Sequence, residues 1–135
     1  MAKHARYEMR IARAARRDVA AALLWSRREF GEDAARRYNA LLGQAFADIG
    51  EDPERPGVRQ RAEFAQDVLV YHVGLSRDRA RSRSPLGVVR KPRHLVVYRL
   101  RGRVIEVIRV LHDARDITRH LAMEHRADPQ AHEED

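Results

Sequence analysis

The chain has 135 residues, room for a single domain, and a chain of this size buries roughly two-thirds of its unfolded surface. It is 44% hydrophobic and 35% charged, which excludes a mostly disordered chain, and no apolar run is long enough to span a membrane. Cysteine is absent, so disulfides, Cys-based zinc sites and thiol nucleophiles are excluded. Met1 to Arg6 carries no apolar signal core, and the expected address is the cytoplasm.

Charge is unevenly placed. The net charge is +7, and only Lys3 and Lys91 among the 27 basic residues are lysine, a skew that suits bidentate contacts to phosphate or carboxylate. Residues 76–93 set seven basic side chains against Asp78 alone. The last twelve residues set five acids against Arg126.

In chain order, Tyr7 to Ile11 alternates apolar and charged residues and predicts a half-buried strand. From Ala14 the period lengthens, and Val19, Ala22, Leu23, Ser26 and Phe30 share one face of a helix. Gly31 ends it, and Glu32 and Asp33 place acids at the start of a second helix. The buried face of that helix is predicted to be Ala34, Tyr38, Leu41, Leu42, Ala45, Phe46 and Ile49, stopped by Gly50, Pro53, Pro56 and Gly57. Residues 58–66 give no clear signal. Three strands follow over Val68–Val73, His94–Leu100 and Val104–His112, the last two joined at Arg101-Gly102-Arg103. Residues 76–93 form a long loop, Asp113–Ala122 a short closing helix, and 123–135 a polar tail. The order β-α-α-β-β-β with a C-terminal helix predicts an α+β fold, a helical hairpin packed on a small antiparallel sheet, in one domain over 1–135 with its fold in 7–122.

Several segments resemble a known family. Phe30-Gly31-Glu32-Asp33-Ala34-Ala35 leading to Tyr38, Asp52-Pro53 to Gly57, Val97-Tyr98-Arg99 and above all Ile108-Arg109-Val110-Leu111-His112-Asp113-Ala114-Arg115-Asp116 are similar to the RelE/ParE toxins of type II toxin-antitoxin systems, over about Tyr7 to Leu121. The resemblance implies a cytoplasmic growth inhibitor neutralised by a cognate antitoxin, with a homodimer or a toxin-antitoxin heterotetramer as assemblies. It leaves two activities open, with a non-toxic remnant that only binds the antitoxin as a third reading. ParE-type members bind DNA gyrase and hydrolyse nothing themselves, whereas RelE-type members cut messenger RNA on the ribosome. The ParE-like reading is preferred, so the chain is expected not to be an enzyme.

Cleavage by 2′-hydroxyl attack needs a proton acceptor, a proton donor and cations for the phosphorane charge. The candidates are Arg99, Arg109 and His112 on the last two strands, with Tyr98 beside them. Asp113, a negative charge next to His112, opposes a phosphate there, and a structural role at the strand end is the expectation for His112. His120 and His125 are five apart and share no helix face, no three-ligand pattern exists, and neither metal nor cofactor is expected. Arg79, Arg81 and Arg83 in the basic loop, with Trp25 at the edge of the first helical stripe, are the candidate partner contacts: Arg–carboxylate pairs would hold an acidic antitoxin tail. The loop lacks the interleaved aromatics of a single-strand stacking platform.

Overall fold

A computed structural model describes residues 7–61 and 67–113 of the chain. Five strands and two long helices form two layers. They are β1 (Glu8–Ile11), α1 (Arg13–Phe30), α2 (Glu32–Glu51), β2 (Arg59–Gln60), β3 (Val68–His72), β4 (His94–Arg101) and β5 (Val104–His112). The sheet order is β1-β5-β4-β3-β2, with every neighbouring pair antiparallel except β1 and β5. The predicted hairpin on a sheet is therefore present, and the sheet is mixed: period two in Tyr7–Ile11 reports half-burial, not the direction of a partner strand at the other end of the chain. The predicted helix over Asp113–Ala122 and the tail 123–135 lie outside the described residues.

Gly31 makes the tight turn between the helices. Its φ is 97°, open to glycine and costly for other residues, and its N–H closes α1 on Arg27 O at 2.9 Å while its own carbonyl accepts from Ala35 at the start of α2.

The core follows the two periodicities. Tyr38, Leu41, Leu42, Ala45 and Ile49 of α2 pack with Tyr71, Val96, Tyr98, Ile105, Val107 and Val110 of the sheet, and Phe46 packs against this cluster from its margin. A second, smaller cluster occupies the other face of the sheet, made of Val68, Val70, Leu95, Val97 and Leu111 with Ile108 against it. Two predicted core positions are wrong. Ala34 is only partly buried, and its neighbour Ala35 is the buried residue at the start of α2. Phe30 is 67% exposed at the end of α1, its ring edge to face with Trp25, while Ala15, Ala22 and Ser26 are the buried residues of that helix.

β5 carries a bulge. Val97 pairs with Arg109 and Tyr98 with Val107, so Ile108 has no opposite residue and the strand is re-aimed beyond it. β1 follows β5 only to Val107, and past that point α1 takes over the edge: Asp18 accepts the Val110 N–H at 2.8 Å in place of a strand partner. The same carboxylate holds Arg109 by two hydrogen bonds of 2.8 and 3.1 Å.

The long loop is folded, with two 3-10 turns over Val73–Ser76 and Arg79–Arg83. Its anchor is Asp48, a carboxylate on the inner face of α2 that is 1% exposed. Ser76 Oγ donates to Asp48 Oδ2 at 2.6 Å, while Gln44 and Arg79 donate to Oδ1 at 2.8 and 3.1 Å. With the Ser76 proton committed, Tyr71 O–H donates to Ser76 Oγ at 2.8 Å. Arg83 Nε reaches Gln44 Oε1 at 2.7 Å, Arg37 reaches Leu86 O, and Arg77 reaches Arg90 O, so the loop is fastened along its length.

Leu42 is 1% exposed in the centre of the main cluster. Leu42→Ala is expected to lower unfolding free energy by about 2–5 kcal/mol in a two-state melt, and a loss well under about 1 kcal/mol would contradict this packing. Burial works to raise the Asp48 carboxyl, but the Ser76 and Gln44 hydrogen bonds, the Arg55 charge and the Arg79 hydrogen bond outweigh it and hold the group below its ordinary 3.8. A depressed carboxyl stabilises above its unfolded value and loses that contribution as pH falls through its folded value. Asp48→Asn is therefore expected to be less stable than wild type by about 1.5–3 kcal/mol at neutral pH, with the gap closing only below pH 3.8. Chemical denaturation of both proteins across that range measures it, and a gap that does not change with pH would contradict the assignment.

Candidate functional site

The sequence-predicted nuclease residues do not converge. Tyr98 belongs to the main core, fully buried, and its phenol donates to Pro53 O. Burial pushes that phenol well above its ordinary value, so it neither gives nor takes a proton readily. Arg99, its neighbour along the strand, faces the opposite side of the sheet, where Nε lies 3.1 Å from Asp67 Oδ1. Arg109 is turned to Asp18 on the α1 side. Only His112 stands in an open groove, and it shares none of these partners.

The groove has a volume of about 830 Å3 and opens between the end of α1, the start of α2 and the loop from Leu86 to Arg93. Trp25 and Phe30 stand on one side with ring centroids 5.5 Å apart, edge to face, and Trp25 is 52% exposed. Leu86, Val88 and Val89 add aliphatic lining, and Arg37, Arg90, Lys91 and Arg93 add four cations. At the inner end are Tyr38, His94 and His112, the two imidazoles 5.7 Å apart and edge to face.

A hydrogen-bond network fixes that end. Arg93 N–H donates to Tyr38 Oη at 3.0 Å, and Tyr38 Oη and His94 Nδ1 share a hydrogen bond of 2.6 Å. Burial, opposed by the Arg93 hydrogen bond and aided by the Asp113 charge, pushes the Tyr38 phenol up to about 12. Asp113 joins the strands below: its N–H donates to Arg93 O at 2.6 Å and its Oδ2 lies 3.1 Å from His72 Nε2. His72 Nδ1 in turn accepts the Gly74 N–H at 2.9 Å, an approach so close that a Cβ at Gly74 would meet the ring. His112 Nδ1 lies 3.7 Å from Asp113 Oδ1. The negative charge expected beside His112 is present and is built into the strand ends.

The partner-contact candidates divide. Arg79 is spent on Asp48 and Glu51, and Arg83 on Gln44, both inside the protein's own framework. Arg81 is exposed, with a 3.7 Å pair to Asp78 three residues earlier. Trp25 is exposed at the groove, as its place at the stripe edge suggested. Arg37, Arg90, Lys91, Arg93 and His94 were missed. No local pattern marks them, because the groove gathers them from α2, the loop and β4. Among the described residues there is no His, Asp or Glu cluster able to hold a metal ion, and no helix is long and apolar enough to cross a membrane.

A hairpin on a five-stranded sheet ending in the Val110-Leu111-His112-Asp113 strand agrees with one family model, described as ParE toxin of type II toxin-antitoxin system, parDE, which matches residues 9–117. The chain belongs to the ParE toxin family. No curated protein matches it. As a ParE-family protein it is the toxin member of a type II toxin-antitoxin pair, and membership implies a cognate antitoxin. The matched span ends at residue 117 and so includes the whole groove.

Proposed function

We propose that this ParE-family toxin inhibits growth by binding DNA gyrase and does not cut RNA. The observation that carries this reading is the dispersal of the ribonuclease candidates. A phosphoryl-transfer centre needs its acid, base and cations within hydrogen-bond reach of one phosphate. Here Tyr98 is sealed under α2, Arg99 lies on the other face of the sheet, and Arg109 is neutralised by Asp18. His112 keeps an acid beside it. Holding a protein target needs no such convergence. It needs an exposed surface with anchors, and the aromatic pair Trp25 and Phe30 with the cations around it supplies one.

The reading is tested with the purified chain. It is expected to block gyrase-catalysed supercoiling and to leave message on translating ribosomes intact. His112→Ala is expected to keep the inhibition. Arg109→Ala is expected to act through the fold, lowering stability by about 2–4 kcal/mol, because Asp18 then keeps a half-buried charge without its partner. Codon-specific cleavage of ribosome-bound message, lost in His112→Ala, with gyrase unaffected, would overturn the proposal and restore the ribonuclease reading.

A further inference from the structure

The groove carries unmatched charge. Arg37, Arg90, Lys91 and Arg93 line it, and none of them is within ion-pair distance of a carboxylate among the described residues. Elsewhere several described arginines meet acids, Arg79, Arg99, Arg101 and Arg109 among them. Four cations gathered around an apolar, aromatic-edged floor repel one another and attract an anionic occupant. The aliphatic wall of Leu86, Val88 and Val89 suits a polypeptide better than a run of stacked bases.

We propose that the acidic end of this same chain, residues 124–135, lies in the groove when no other protein occupies it. Glu124, Asp128, Glu133, Glu134 and Asp135 against Arg126 give this stretch the charge that the lining lacks. The route is short. β5 delivers His112 into the groove itself, and Asp113 is pinned to Arg93 O and His72 at its inner end. Ten residues, 114–123, then lead to Glu124, spanning about 15 Å as helix and no more than about 35 Å extended. Pro129 fixes its own φ and biases Asp128 towards extended backbone, a form that lies along an open groove.

Tethering selects the chain's own tail over free anions. A short linker gives an effective concentration of about 1 mM, so a segment that binds only weakly in trans fills the groove in cis. The tail then acts as an internal competitor: an incoming partner for this face must first displace it. The docking stands on charge and position, independent of which target the toxin binds.

Trp25 is the chain's sole tryptophan and stands on the groove, so its fluorescence reads occupancy directly. The full chain is compared with a chain ending at residue 122, which retains the family-matched region. At low salt, Trp25 of the full chain is expected to be shielded from acrylamide, and truncation or about 0.5 M sodium chloride is expected to remove the shielding to the same level. A synthetic peptide of residues 123–135 added to the truncated chain is expected to restore it, with affinity weakening several-fold as salt rises. Replacing Glu133, Glu134 and Asp135 together by lysine, a change beyond the family-matched region, is expected to reproduce the truncation. Equal quenching of full and truncated chains at low salt would overturn the proposal. So would shielding that survives high salt or the lysine replacements. Shielding that grows with protein concentration would assign the groove to the tail of a second copy and overturn it too.

Discussion

One buried carboxylate organises much of this protein. Asp48 sits on the apolar face of α2, where an unpartnered charge would be strongly disfavoured, and it is tolerated because Ser76, Gln44 and Arg79 donate to it. Those donors are also what joins the second half of the chain to the first. Ser76 comes from the 3-10 turn after β3 and Arg79 from the next turn, so satisfying Asp48 pulls the segment after the sheet's third strand down onto α2. Ala80 is buried in the core as a result, and Val89 packs against it. The wall of the groove from Leu86 to Arg93 is continuous with this anchored stretch.

Two groups of arginines have distinct settings in this fold. One is structural. Asp18 binds Arg109 and the Val110 N–H together, closing an edge that β1 is too short to cover, and Asp67 gathers Arg99 and Arg101 on the other face. The other lines the groove, with no carboxylate in ion-pair distance of these cations among the described residues. The basic loop, which as sequence reads as one solvated or partner-binding patch, contributes to both: Arg79 and Arg83 bond back to Asp48 and Gln44 of α2, while Arg90, Lys91 and Arg93 line the groove.

What was legible follows from periodicity. The stripe Tyr38, Leu41, Leu42, Ala45 and Ile49 is a four-turn signal whose physical cause is burial on one face, and all five residues are in the core. Val104–His112 begins and ends where its apolar run does. The parallel pairing of β1 was not legible, because alternation says nothing about strand direction. Asp48 breaks the apolar stripe and reads locally as a surface residue, since the donors that make it tolerable lie far along the chain. The groove was half legible: Trp25 and His112 stood out as residues, but Tyr38 and His94 read as core and strand positions. Only the Arg93 N–H, Tyr38 and His94 hydrogen-bond chain makes them part of one surface.

The account rests on the segment from Val73 to Arg93 being held on α2 by Asp48 rather than swinging in solvent. Amide hydrogen exchange of the wild-type protein and of Asp48→Asn tests this most directly, since exchange resolves local from global opening. Protection is expected at Arg77, Ala80 and Arg81, whose N–H groups are bonded within the turns, with its selective loss in Asp48→Asn while β4 and β5 stay protected. A wild-type segment that exchanges as fast as an unstructured peptide, or a variant whose segment stays as protected as before, would contradict it.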